Sequence, residues 1–203
     1  RDRLEHQAYA AVDRPAVERR PGVGRQCPLR TSRRQDQRIP RRLHGVEHVA
    51  VDHDVINLTK PETIEPNLQP PCRLVVNCAA YTAVDAAETQ EDLANAINGA
   101  GVGALAERCK RIGAMLVHYS TDYVFDGTAT TPYATDHPRQ PVSAYGRSKA
   151  LGEQLIEQSG CRHLIVRTSW LYAPWGNHCV RTITKLAAER RTLKVVSDQR
   201  GGR

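Results

Sequence analysis

Ala114-Met-Leu-Val-His-Tyr-Ser-Thr-Asp-Tyr-Val-Phe-Asp-Gly127 runs from an apolar strand, residues 114–119, straight into the polar turn Ser120-Thr121-Asp122. Open α/β sheets bind ligands at the carboxyl ends of their strands, so a hydroxyl-rich turn there marks a candidate site as well as an element. Upstream, Leu93, Ile97, Val102, Leu105 and Ala106 fall at near-helical spacing up to Cys109. Before them, Leu74-Val75-Val76 is an apolar run between Pro70-Pro71 and Asn77, and predicts a strand. Residues 46–52 predict a buried strand ending in the acid Asp52, and residues 54–58 a shorter one. Downstream, residues 143–158 predict a helix with Ala150, Leu151, Leu155 and Ile156 on one face. Leu164-Ile165-Val166 predicts a strand, residues 180–189 a helix, and residues 193–196 a last strand. Strands alternating with helices predict an α/β domain built on a parallel sheet.

The 203 residues suffice for one domain with a real core. No apolar run approaches the roughly 18 residues of a membrane span, and the first residues hold no apolar signal core. The expected compartment is the cytoplasm, with no membrane partner. Cys27, Cys72, Cys78, Cys109, Cys161 and Cys179 form no C-x-x-C pair and no zinc spacing with histidines. Buried, reduced thiols and no metal are expected. The net charge of +7 is unevenly spread: residues 1–48 hold 12 arginines and no lysine against six acids, and the remainder is nearly neutral. Tyr9 is the only aromatic among those arginines, so no stacking platform and no nucleic-acid partner are expected.

The chain divides near residue 44. Residues 1–43 show neither a 3.6 nor a 2.0 apolar period, and Pro15, Pro21, Pro28 and Pro40 interrupt any long helix. Composition predicts disorder there, and arginine without lysine is also what a GC-rich gene read out of frame yields.

Four segments carry chemistry. In Tyr145-Gly-Arg-Ser-Lys149 the phenol and the amine are one helical turn apart, on one face. An ammonium beside a phenol lowers the phenol's pKa and makes Tyr145 a usable proton donor or acceptor near neutrality. Alone, this spacing also fits a surface pair. Thr121, 24 residues earlier, adds a hydroxyl able to bond a reacting carbonyl oxygen. Asn77-Cys-Ala-Ala-Tyr-Thr-Ala-Val-Asp85 follows a predicted strand, and its small Ala79 and Ala80 allow a flat ligand close to the backbone. Arg167-Thr-Ser-Trp-Leu-Tyr172 again lies just past a strand.

In this order and spacing, the segments at 77–88, 119–127, 145–153 and 167–172 resemble the dTDP-4-dehydrorhamnose reductases of the extended short-chain dehydrogenase/reductase superfamily. The resemblance covers about residues 44–200. It implies a Rossmann-like, doubly wound parallel sheet and the reduction of dTDP-4-dehydro-L-rhamnose with NADPH or NADH, in the synthesis of a cell-surface polysaccharide precursor. It implies Tyr145 as proton donor, Lys149 as tuner of Tyr145 and holder of the nicotinamide ribose, and Thr121 as hydrogen-bond partner of the substrate oxygen. Asp122, Tyr123 and Trp170 would meet the substrate, and Ala79, Ala80, Tyr81, Thr82 and Tyr119 would line the cofactor. Asp52 would accept the adenosine ribose hydroxyls, with Asn57 and Leu58 near the adenine. Asn98 matches the family's helix asparagine. A homodimer is the assembly this reading allows. A sugar-nucleotide epimerase or dehydratase of the same superfamily, or a non-catalytic relative, stays open, since Asp122 also suits a dehydratase.

Three departures accompany the resemblance. The family opens with a strand and a G-x-x-G-x-x-G loop that cradles pyrophosphate, expected near residues 29–35, where this chain reads Leu-Arg-Thr-Ser-Arg-Arg-Gln. In the implied order 3-2-1-4-5-6 that first strand is central, so its loss is expected to leave sheet groups unpaired at about 1–3 kcal/mol each. The family's C-terminal substrate region is expected to be truncated after Asp198-Gln-Arg-Gly-Gly-Arg203, and His178-Cys179 stands where the family commonly has Asn-Phe. The expectation is therefore a segment 1–43 that is aberrant, and a partial NAD(P)-binding domain, residues 44–203, with impaired activity.

Overall fold

Three parallel strands form the frame on which the candidate site is mounted. The computed structural model describes residues 49–172 and 178–194, so residues 1–43 and the expected glycine-loop position lie outside the described residues. Strand β1 (Leu74–Asn77), β2 (Met115–Thr121) and β3 (His163–Thr168) lie side by side in that order. Leu74 pairs with Met115 and Thr121 with Thr168, so all three strands run to one carboxyl edge. Val75 and Leu116 are wholly buried, as a sheet covered by helices demands.

Each crossover between the strands is helical. From β1 the chain passes through α2 (Val84–Ala87) and α3 (Glu91–Asn95), then a π-helical turn (Ala96–Ala100) and α4 (Gly101–Ile112). A short α1 (Ile64–Asn67) precedes β1. The predicted single helix over 93–109 is thus interrupted by a π turn, which places Asn98 in the interior. Gly113, in the left-handed region at φ 72°, ends α4 where no side chain is easily accommodated. Helix α5 (Ala144–Ser159) joins β2 to β3. Its N-cap Ser143 accepts a bond from the Gly146 amide at 3.0 Å, meeting one of the helix's free donors. A Cβ at Gly152 would run into the Asn98 carbonyl, so glycine there lets α5 lie directly against the π turn.

The strands predicted at 46–52 and 54–58 do not form among the described residues. Residues 49–52 join no strand, although Ala50 and Val51 are buried. Residues 52–56 turn instead: the amides of Val55 and Ile56 both donate to the Asp52 carbonyl, and the Asp54 amide donates to Asp52 Oδ1 at 3.1 Å. Asn57 Oδ1 then accepts from the Thr59 amide and hydroxyl. Asp and Asn side chains offer the backbone local partners that outcompete a ladder, while Ile56 and Leu58 still reach the core. Of the predicted last strand, residues 193 and 194 join no strand and residues 195–196 lie outside the described residues. The helix predicted at 180–189 is α6 (Cys179–Glu189), with no buried residue. Cys72, Cys109 and Cys161 are buried as expected, Cys78 is half-buried, Cys179 is exposed, and Cys27 lies outside the described residues.

Candidate active site at the carboxyl edge

Thr121 ends β2 and begins the next turn, because its hydroxyl caps that turn by accepting from the Tyr123 amide at 3.2 Å. The same hydroxyl donates to Asp122 Oδ1 at 3.1 Å. Helix α5 starts opposite, and a Cβ at Gly146 would meet the Tyr123 carbonyl, so glycine lets the helix start lie against this turn. Tyr145 is thereby brought beside Thr121, with the Tyr123 ring edge-on at 5.6 Å. One turn on, Lys149 is 1% exposed. Its Nζ donates to the Tyr119 carbonyl at 2.7 Å and lies 3.2 Å from His118 Nε2.

The expected electrostatics are reversed. Burial pushes the Tyr145 phenol above its ordinary value of 10.0, against the bond to Thr121, and the negative charge of Asp122 adds to the rise. Burial pushes the Lys149 ammonium down to about 8, with Glu153 opposing. The predicted lowering of Tyr145 by an adjacent ammonium fails because Lys149 points inward, to His118 and Tyr119, and is itself poorly able to carry charge. What results is a phenol that stays protonated across neutral pH, the form that gives a proton away.

The remaining sequence candidates divide into two groups. Thr121, Asp122, Tyr123, Tyr145, Lys149 and the Tyr119 carbonyl come together at the edge of β2. Ala79 and Ala80 follow β1 at the same edge, with the Ala79 amide on Asn77 Oδ1 at 3.0 Å. Thr82 beside them is exposed. Tyr81, expected to line a cofactor, is wholly buried, and its hydroxyl donates to Gln90 at 3.3 Å. Its backbone is clamped on both sides by Asn98, which accepts from the Tyr81 amide at 2.8 Å and donates to its carbonyl at 3.0 Å. Leu58 is likewise a core residue. Asp52 and Asn57 sit in the turns described above. Trp170 is exposed and carries a left-handed backbone, φ 52°, which is strained for a bulky residue.

Two residues of the site were not singled out from sequence. His118, wholly buried, stands between Asn77 Nδ2 at 3.0 Å and Lys149 Nζ. The alternation Leu116, His118, Ser120 on the inward face of β2 was the available signal. Glu153 is buried between two guanidinium groups: Arg167 donates from Nη2 at 2.6 Å and from Nε at 2.9 Å, and Arg139 from Nη1 at 3.2 Å. Burial raises the Glu153 carboxyl, but its bonds to Arg167 and Arg139 and the Arg167 charge reverse this and leave it lowered. This cluster ties β3 to α5 below the site. Among the described residues no group of His, Cys, Asp and Glu could hold a metal ion, and no helix is long and apolar enough to cross a membrane.

A family model described as the RmlD substrate binding domain matches residues 38–202. A dTDP-4-dehydrorhamnose reductase from Burkholderia thailandensis is 47% identical over 156 residues, 75% of this chain and 52% of that protein. A solved dTDP-4-dehydrorhamnose reductase from Clostridium acetobutylicum is 39% identical with TM-score 0.71, over 78% of this chain and 57% of that one. Another from Bacillus anthracis, solved in complex with NADP, is 39% identical with TM-score 0.67, over 69% and 50%. The chain spans about half the length of the curated relatives it matches. The α/β architecture with its parallel sheet is Rossmann-like, as in these structures.

Proposed function

Since the chain belongs to the RmlD substrate binding domain family, alongside dTDP-4-dehydrorhamnose reductases, we propose that its carboxyl-edge site reduces the C4 carbonyl of dTDP-4-dehydro-L-rhamnose. The observation that carries this reading is the Tyr145 phenol, kept protonated by burial, beside the Thr121 hydroxyl at the end of β2. The residues present fit a dinucleotide's nicotinamide end. Ala79 and Ala80 leave room for a flat ring beside the backbone after β1, and α5 brings a phenol and an amine to the same edge. NADPH or NADH, when bound, supplies the hydride that converts the carbonyl to an alcohol. Tyr145 gives its proton to the developing alkoxide, and Thr121 hydrogen-bonds that oxygen, stabilising charge where it grows. Lys149 would hold the nicotinamide ribose, with Tyr119 and Thr82 beside the cofactor. Asp52 would lie toward its adenosine end. Asp122, Tyr123 and Trp170 would contact the sugar nucleotide. The same reading keeps residues 1–43 apart from a partial NAD(P)-binding domain at 44–203. It also proposes a cytoplasmic enzyme, a homodimer and no nucleic-acid partner.

The test is incubation of the purified chain with dTDP-4-dehydro-L-rhamnose and NADPH, followed by mass analysis of the sugar nucleotide. The expected product has gained two hydrogens, with one NADPH consumed per molecule, and is lost in Tyr145→Phe. A product of unchanged mass or one that has lost water would reassign the site to an epimerase or dehydratase.

A further inference from the structure

Asn98 and Ser148 meet where the π-helical turn lies against α5, and both are wholly buried. Every polar hydrogen of the pair is committed. Asn98 Oδ1 accepts from the Tyr81 amide at 2.8 Å, which fixes the orientation of the side chain. Its NH2 group has two hydrogens and two acceptors, the Tyr81 carbonyl at 3.0 Å and Ser148 Oγ at 2.9 Å. Ser148 has one hydrogen, which goes to the Tyr145 carbonyl at 2.7 Å. The bonds run in one direction, from the Tyr81 backbone through Asn98 and Ser148 to the Tyr145 backbone, so each polarises the next. Packing fixes the length of this row. A Cβ at Gly152 would meet the Asn98 carbonyl, and one at Gly99 would run into the Leu151 side chain. Helix α5 is thus seated on the π turn with no room to slide. Such turns recur at functional sites, and this one sets Asn98 between Tyr81 and Ser148.

We propose that Ser148 is a positioning residue. With Asn98 it forms a strut that sets the separation between the loop after β1 and the turn of α5 that carries Tyr145. Each end is also tied to the sheet on its own, the Ala79 amide to Asn77 and Lys149 to the Tyr119 carbonyl. The strut ties the two ends to one another. The inference rests on the reductase reading for what those ends carry: a nicotinamide ring beside Ala79 and Ala80, and the acid Tyr145. A hydride donor and a proton donor must reach the same carbonyl, so their spacing bears directly on the rate. Ser148 acts on that spacing through the backbone at both ends. Helix α5 carries its own control. Ser159 is also buried, donates to the Ile156 carbonyl three residues back at 2.7 Å, and accepts from the Cys161 amide at 3.1 Å. It repeats the chemistry of Ser148 at the far end of the helix, away from Tyr145.

The experiment compares Ser148→Ala with Ser159→Ala in the full 203-residue chain. Amide hydrogen exchange by NMR reads the Tyr81 amide against the Leu116 amide of β2, which donates to the Arg162 carbonyl. The ratio of the two rates separates local loosening from a global loss of stability. Ser148→Ala is expected to raise that ratio about tenfold, because one Asn98 hydrogen loses its acceptor where water does not reach. Ser159→Ala is expected to leave the ratio unchanged, and Ser148→Thr, which keeps the hydroxyl, to hold it near wild type. In keto-sugar turnover, Ser148→Ala is expected to raise the KM for NADPH and lower kcat together, both well beyond any change in Ser159→Ala. An unchanged exchange ratio in Ser148→Ala, or an equal rise in both alanine variants, overturns the proposal. So do identical kinetics in the two, since the strut would then be structural alone. A wild-type chain without turnover sinks the reductase reading only, and the exchange ratio, which needs neither substrate nor cofactor, still decides the strut.

Discussion

The β2–α5 edge and the segment 52–58 were both read from sequence as ligand-binding strand ends, and they fold differently. At the first, the α5 residues that face Thr121 are held by contacts from distant parts of the chain: Tyr119 and His118 on Lys149, and Asn98 on Ser148. At the second, nearly every polar contact is local. Asp52 serves Asp54, Val55 and Ile56, and Asn57 serves Thr59, with Thr63 and Asn67 the partners further off. A motif whose groups are held by several elements is a built site. A motif whose groups serve their own turn is a loop until a ligand is shown on it.

This contrast orders the expected effects of substitution. Tyr145→Phe removes the acid and is expected to lower keto-sugar turnover by roughly 10² to 10⁴ with the fold intact by circular dichroism. Loss below tenfold would break the assignment of the built site. Glu153→Gln leaves Arg167 and Arg139 without their shared carboxylate, and about 3 kcal/mol of stability is expected to be lost in urea unfolding. A change under about 0.5 kcal/mol would mean the cluster is solvated and not part of the frame.

The next effect depends on pH. The Lys149 amine is favoured in the fold, with a pKa of about 8 against an ordinary 10.5, so between these values the unfolded chain binds more protons than the folded one. Stability therefore rises with pH in that window. Raising pH from 8 to 9 is expected to add about 1 kcal/mol to wild type relative to Lys149→Met. Above that range the half-buried Cys78 and buried Cys109 thiols, pushed up by burial to about 11 and about 12, work in the opposite direction. A flat difference between the two proteins would show that Lys149 stays charged. The smallest effect belongs to the local segment. Asn57→Ala removes the cap on Thr59 and is expected to cost about 1 kcal/mol or less, with no change in turnover. A large loss of NADPH affinity in this variant would erase the contrast and make residues 52–58 a built site too.

The same contrast explains what was legible in the sequence. Strands β1, β2 and β3 could be read because each is a short apolar run bounded by polar or proline-rich sequence, and α5 because Ser143 caps it and its apolar residues repeat at helical spacing. Residues 54–58 misled because alternation alone cannot weigh Asp52 and Asn57 bonding their own backbone. The catalytic trio could be read as residue types at a spacing, but the charge on it could not. That Lys149 turns to His118 and the Tyr119 carbonyl depends on a side chain from another element, and His118 gave no signal beyond its place in the alternation of β2. Tyr81 and Leu58 were named for a surface and lie in the core, because a family position carries a residue's place in the chain and not which way it faces.

If Thr121 and Tyr145 act as one proton-donating unit, the effects of removing them are not independent. Turnover of dTDP-4-dehydro-L-rhamnose by wild type, Thr121→Val, Tyr145→Phe and the double variant decides this. Strong non-additivity is expected, with the double variant scarcely slower than Tyr145→Phe alone, because each hydroxyl works through the other. Losses that multiply independently would contradict it.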